Sequence, residues 1–377
     1  GLAVVFAPAI GPTLGGYIVD HTSWRWIFYI NVPVGIVSMF LTAMMVEDPP
    51  WLKEQSRRVT VDWLGLGLVA VAFGSLQVIL DKGQQDDWFA SPFIVVFTLA
   101  MVIAMASMVV WEWVHPNPVV NLRLFRNRNF AASATLMFTL GATLYGTTVL
   151  IPQFVQTLMG YNAERAGMLL SPGALVTMAM MPLVGFLVSR VPAKFLIALG
   201  FGGLSLALWN MTNLNLGLDP KNLTLFRVYQ AASLAFLFVP INIVAYLGIP
   251  REQNNQVSGL MNLARNIGGS VGIAFVVTTL SRRSQTYQNQ LVDQLAGSNP
   301  ILQDRVGAMQ HGFSSAGPAQ ALSRAYASIY ATVQQQAAVL SYVRIIEDLA
   351  ILTAIFVPLI LLLVKRNKPG GAPSGAH

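Results

Sequence analysis

The chain has no cysteine, which excludes disulfides and thiolate metal sites. Histidine is nearly as scarce. His21, His115, His311 and His377 are scattered over predicted loops and the tail, without the spacing of a metal site. Charge is sparse as well: only 10% of residues are charged, where an ordinary soluble domain has roughly a quarter. A soluble globular domain is therefore excluded. A polytopic membrane enzyme would need His, Asp or Glu clustered near a membrane face, and the inventory holds no such cluster.

What the chain has instead is apolar length. Hydrophobic residues make up 54% and mean hydropathy is +0.58. A spanning helix needs about 20 mostly apolar residues. Ten such segments are predicted, near 1–20, 26–46, 63–80, 93–112, 130–156, 167–188, 195–213, 224–247, 257–280 and 343–364. The net charge of +7 reads either as a nucleic-acid footprint or as a topology signal, and its distribution decides. If both ends are cytoplasmic, the loops on that side carry Lys53, Arg57, Arg58, Arg123, Arg126, Arg128, Arg190, Lys194, Arg251, Lys365, Arg366 and Lys368. The short loops opposite carry Arg25, Lys82, Arg165 and Lys221, and the long loop with Arg282, Arg283, Arg305 and Arg324 is discounted. The asymmetry is the positive-inside rule, and no nucleic-acid partner is needed to explain it.

The opening stretch GLAVVFAPAIGPTLGGYIVD combines a span with helix breakers. Gly11, Gly15 and Gly16, with Ala7, put small residues on one face where a partner helix can approach closely. Pro8 and Pro12 each remove a hydrogen bond and are expected to bend the helix. Two readings stay open, a hinge-like packing surface and a static contact. The span starts without Met or a charged flank and is too long and glycine-rich for a signal peptide. It is read as part of a longer protein.

The string APAIGPTLGGYIVD followed by SWRWIFYINVPVGI resembles the antiporter motif and next helix of the major facilitator superfamily, in its fourteen-helix drug:proton antiporter branch (EmrB and QacA type). VDWLGLGL at 61–68, LQVILDKGQQDDWF at 76–89, NPVVNLRLFRNRNF at 117–130 and NLARNIGGSVGIA at 262–274 continue the resemblance. It implies an all-α polytopic membrane fold with about ten of fourteen transmembrane helices present, the first span here matching the fifth. It also implies that the principal proton site lies in the four helices before this chain. Residues 1–46 would then end the first six-helix half, 47–129 hold two extra linker helices, 130–364 form the second half, and 365–377 a flexible tail. Worn internal copies agree in order: Gly185 to Lys194, Phe226 to Gln230, and the glycines Gly268, Gly269 and Gly272.

An ionisable group inside a membrane is a functional candidate by default. Arg265 lies well inside the ninth span, with Ser258, Asn262, Gly269 and Gly272 on its face. It either bonds a backbone carbonyl between helices or takes part in coupling. Arg227 lies nearer a span end and either snorkels to the interface or couples. Glu347 and Asp348 stand at the outer edge of the last span, as helix-end carboxylates or as proton acceptors from outside. A polyspecific cavity needs apolar and aromatic walls with a few polar groups. The candidates are Tyr29 and Asn31 on the second span, Phe138, Tyr145, Gln153 and Gln156 on the fifth, and Gln230, Phe238 and Asn242 on the eighth.

Residues 281–341 form a long, Gln-, Ser- and Ala-rich segment on the outer side. Leu291 with Leu295, and Leu322, Tyr326, Ile329 and Tyr330, have helical spacing, so short amphipathic helices are expected, with a disordered linker as the alternative. By resemblance this segment docks a periplasmic adaptor of the EmrA type, leading to a TolC-like outer-membrane channel. The expected function is proton-driven, cofactor-free export of amphiphilic toxic compounds from the bacterial inner membrane by a multi-pass protein that also contacts lipid, its C-terminus cytoplasmic. Export of one metabolite or siderophore, or a non-transporting sensor, are the alternatives.

Overall fold

The computed structural model describes residues 2–45, 62–116, 118–293, 295, 300–312 and 318–363, with backbone alone for 2–10, 318 and 363. The loop with Lys53, Arg57 and Arg58 and the tail 365–377 lie outside the described residues. In chain order the helices are α1 (Leu2–His21), the single turn α2 (Trp26–Tyr29), α3 (Asn31–Met45), α4 (Trp63–Lys82), α5 (Pro92–Val114), α6 (Arg128–Thr157), α7 (Ala163–Arg190), α8 (Ala193–Met211), α9 (Pro220–Ala245), α10 (Asn254–Asp293), α11 (Pro300–Gly312) and α12 (Pro318–Leu363). No described residue is in a strand.

Helices are what such a sequence must form, because no water in a bilayer core can satisfy a free backbone amide or carbonyl. Among the described residues nine helical segments are long and apolar enough to cross, α2 and α3 counting together. The expected first span is α1, a continuous helix of 20 residues that runs through Pro8 and Pro12. Side chains end the helices where the sequence turns polar. Asp62, Asn127, Asn162 and Asp219 each accept a backbone N–H in the first turn of α4, α6, α7 and α9. Gly160 and Gly248, both at φ 71°, supply left-handed turns after α6 and α9 that a side chain would strain.

Buried apolar residues between Val120 and Ile360 form one core. α6 sits centrally against α9, α10 and α12; α9 also packs on α7 and α8, and α8 on α12. Phe130, Leu140, Phe154, Phe201, Leu204 and Ile241 are fully buried there. α4 and α5 pair with each other, and α4 leans on α10, where Ser270 donates to Gln77 at 2.6 Å. α3 buries none of its residues.

The long segment 281–341 differs from expectation. Two of its helices are not separate short pieces but continuations of the flanking spans. α10 runs on to Asp293 over 40 residues, and α12 begins at Pro318 and runs for 46. At 1.5 Å per residue, α12 is about 69 Å long, more than twice the roughly 30 Å hydrocarbon core. Among the described residues of this segment α11 is the one separate helix, and it packs on α12. Gln288 donates to the Tyr330 hydroxyl at 2.6 Å, tying the two extensions together. Leu295 lies in a turn outside them.

Candidate functional site

The opening motif builds a contact between α1 and α7. A Cβ added at Gly16 would lie 2.5 Å from the Ala163 carbonyl oxygen, and one at Gly167 would strike the carbonyl of Pro12. One turn along, the Thr13 and Ser171 hydroxyls lie 2.5 Å apart. Asp20 accepts the Glu164 amide at 2.8 Å, so the end of α1 places a carboxylate at the N-terminus of α7, where the helix dipole favours it. Gly11 and Gly15, expected in the same contact, have nothing within 4 Å of an added Cβ. The tight approach belongs to Pro12 and Gly16. Glycine spacing shows a small face, and only the partner's position shows which glycine it touches.

A second glycine seam joins α6 and α10. Added Cβ atoms would strike the Arg265 carbonyl from Gly141, the Phe138 carbonyl from Gly268 and the Ala142 carbonyl from Gly272. At Gly269 the neighbour is the Tyr145 ring, at 2.5 Å. Phe138, Tyr145 and Arg265 are thereby brought along one seam. The Arg265 guanidinium donates to Asn262 at 3.0 Å, and among the described residues its Nε has no partner. Asn262 and Ser258 are exposed, so this stretch of α10 presents polar side chains to open space.

Arg227 is more enclosed than the snorkelling reading allows. Its guanidinium donates to Gln230 at 2.6 Å and to the hydroxyls of Thr147 and Thr148 at 3.4 Å each. Gln230 donates to Thr147 at 2.7 Å, and Thr147 donates to the Thr143 carbonyl at 2.8 Å. Burying a charge within a span is costly, and three interhelical bonds, two from Arg227 and one from Gln230, at about 0.6 kcal/mol each contribute roughly 2 kcal/mol against that cost. Gln230, expected to line a cavity, is buried at 1% exposure and spent on this network.

The remaining candidates scatter. Phe238 packs against the core, and Asn242 donates to the Phe238 carbonyl of its own helix. Gln153 is half-buried and Gln156 exposed, further along α6. Tyr29 is exposed and Asn31 bonds back to the Ile27 carbonyl, so the structure does not join them to the second-half residues. An open groove of about 470 Å³ runs from Pro33 to Thr42, and among the described residues α3 alone lines it. Glu347 and Asp348 are each paired with an arginine, Glu347 with Arg344 one turn back and Asp348 with Arg283 of α10 at 2.8 Å.

Several contributors escaped sequence reasoning. Thr147 is buried and central, yet a threonine in an apolar run carries no mark of its partners. Arg283 looked like a loop charge because the extension of α10 was not foreseen. Gly141 and Gly146 did carry a signal, since they lie on the helix whose partner holds Gly268 and Gly272.

Residues 1–273 match the family model for the Major Facilitator Superfamily. The chain is 32% identical over 304 residues to the "Multidrug export protein EmrB" of Escherichia coli K12, covering 80% of this chain and 59% of that protein. It is 31% identical over 315 residues to the "Probable multidrug resistance protein EmrY" of the same strain, covering 83% and 61%. Against the "Fatty acid resistance protein FarB" of Neisseria gonorrhoeae it is 28% identical over 378 residues, covering 100% and 72%. The chain thus spans about three fifths of the length of the EmrB and EmrY relatives. With its helical bundle, its two glycine seams and its intramembrane arginines, this multi-pass membrane chain belongs to the major facilitator superfamily.

Proposed function

We propose that this chain is the larger part of a proton-driven multidrug exporter of the bacterial inner membrane, working by alternating access with its C-terminus in the cytoplasm. The observation that carries the reading is the polar seam through the second half: Arg227, Gln230, Thr147 and Thr148 on α9 and α6, and Arg265 with Asn262 on α10. A bundle that only anchored a sensor would have no need of two arginines at that depth. Relatives named for multidrug export and for fatty acid resistance support amphiphilic toxic compounds as the substrate class. Drug and proton are coupled because each changes the relative stability of inward- and outward-open states.

The outer extension fits a second part of the proposal, docking of a periplasmic adaptor that leads to an outer-membrane channel. Leu322, Tyr326 and Tyr330 recur every fourth residue on α12 and are exposed, beyond the length the membrane requires. The test uses the full-length protein in everted vesicles. A proton gradient should drive uptake of a lipophilic cationic dye, and collapsing the gradient should abolish it. Uptake that ignores the gradient would reject proton coupling, and no uptake of any amphiphile would favour the sensor. Replacing 285–335 with a short Gly/Ser linker should spare vesicle transport but abolish adaptor pull-down. Adaptor binding that survives the replacement would sink the docking reading.

A further inference from the structure

Where α4 begins and α5 ends, four side chains meet that the transport proposal leaves unused. Asp62 caps α4, one carboxylate oxygen accepting the Gly65 amide at 2.8 Å and the other the Trp111 indole N–H at 2.9 Å. His115 Nε2 lies 3.9 Å from that carboxylate, and its ring stacks on Trp111 with centroids 5.2 Å apart. Glu112 is buried at 0% exposure. Its Oε2 accepts the Val120 amide at 3.1 Å, and among the described residues its Oε1 has no partner. That free oxygen points at Gly65, where an added Cβ would meet it at 2.9 Å and would also strike the Asp62 carboxyl. Two carboxyls therefore flank one glycine, both shielded from water.

Ionising both would set like charges side by side without water to screen them, and would leave Oε1 with no donor. A single proton removes both penalties. We propose that Asp62 and Glu112 together hold one proton, Glu112 neutral and Asp62 ionised, making a proton site on the α4–α5 pair distinct from the arginine seam. The proton sits on Glu112 Oε1, against the same face of Gly65 that the Asp62 carboxyl occupies, so the pair carries one negative charge. Asp62 is the partner that keeps it, because the Gly65 amide, with the Trp111 indole and His115, holds its carboxyl below the usual range. The other polar ionisable side chains here are those of His115 and Arg123, the guanidinium of the latter being occupied by the Trp113 and His115 carbonyls at 2.9 and 3.4 Å. Loss of the proton, to water past the part-exposed His115, leaves two repelling carboxylates and loosens α5 from the segment at Val120 that leads to α6.

Infrared difference spectroscopy of the purified full-length protein, stepped from neutral to alkaline pH, reads this directly and needs no transported compound. The wild type should show a protonated-carboxyl signal that disappears on the alkaline side and is missing from Glu112→Gln. In Asp62→Asn the signal should disappear at lower pH, since the like charge that favours the protonated form is gone. Glu112→Gln should keep wild-type thermal stability at neutral pH, because an amide is neutral and can donate, whereas Glu112→Ala should lose it. An unchanged signal in Glu112→Gln, or an unmoved midpoint in Asp62→Asn, overturns the proposal. So does a Glu112→Gln protein that fails to fold while Glu112→Asp folds.

Discussion

Arg227 illustrates what a single side chain decides here. Its fork reaches Gln230 in one direction and Thr147 and Thr148 in the other. Lysine offers a point charge without the fork, so Arg227→Lys should retain part of the transport that Arg227→Ala loses. Arg227→Ala also leaves the buried Gln230 amide oxygen without its donor, while Gln230 stays bonded to Thr147. Each buried polar group left unsatisfied costs about 1–3 kcal/mol, so the alanine variant should melt well below the lysine variant. Equal melting of the two would show that the network contributes nothing to stability. At Asp62 the sign of pH dependence follows from its lowered carboxyl, whose largest cause is the Gly65 amide. A depressed folded value means that its contribution is present above the unfolded carboxylate range, about pH 4, and is lost as pH falls through the folded value. Asp62→Asn should therefore flatten the acid side of the stability profile, read by thermal unfolding across that range.

Helix pairs meet through glycine, and consequences at this scale depend on which glycine faces a backbone. Gly16→Leu should part α1 from α7 and abolish export, because the obstacle is the Ala163 carbonyl, which cannot rotate away. Gly15→Leu should be the milder change, since an added Cβ there meets nothing within 4 Å. Drug resistance at matched expression separates the two, and the reverse order would contradict the packing. On the α6–α10 seam even Gly268→Ala meets the Phe138 carbonyl and should cost on the order of 1–3 kcal/mol as overpacking. The cysteine-free sequence makes a further test clean. Thr13→Cys with Ser171→Cys should form a disulfide under mild oxidation, because the two hydroxyl oxygens already lie within 2.5 Å. If α1 and α7 separate during the transport cycle, the cross-link should stop vesicle uptake and a reductant should restore it. Undiminished uptake by the cross-linked protein would mean that this contact stays closed throughout.

For the whole molecule the consequence is reach. Helices of 40 and 46 residues cannot both fit inside a bilayer, so α10 and α12 carry a helical stalk beyond one face. A single cysteine at Gln288 should react with a membrane-impermeant maleimide applied from the outer side of intact cells stripped of their outer membrane. One at Ile351, in the apolar stretch of α12, should stay unreactive. Labelling of position 288 only from the cytoplasmic side would reverse the proposed orientation.

Composition and apolar length by themselves determined that this chain is a helical, multi-pass membrane protein, because a bilayer leaves the backbone no other way to satisfy its polar groups. The string around Gly11 to Gly16 and the fragment NLARNIGGSVGIA carried the family, since close helix approach tolerates few residue types. The arginines were legible as candidates for the same reason that makes them costly. Only the tertiary structure decided that Gly16 rather than Gly15 touches α7, that Gln230 serves Arg227 instead of a cavity, and that residues 281–293 and 318–341 extend their spans. Each of those depends on which face of a helix meets which neighbour, and helical periodicity leaves that rotation open until the partner is in place. The Asp62–Glu112 pair was hidden for a related reason. The two residues lie 50 positions apart in the sequence, and nothing local to either shows that the fold brings both carboxyls against Gly65.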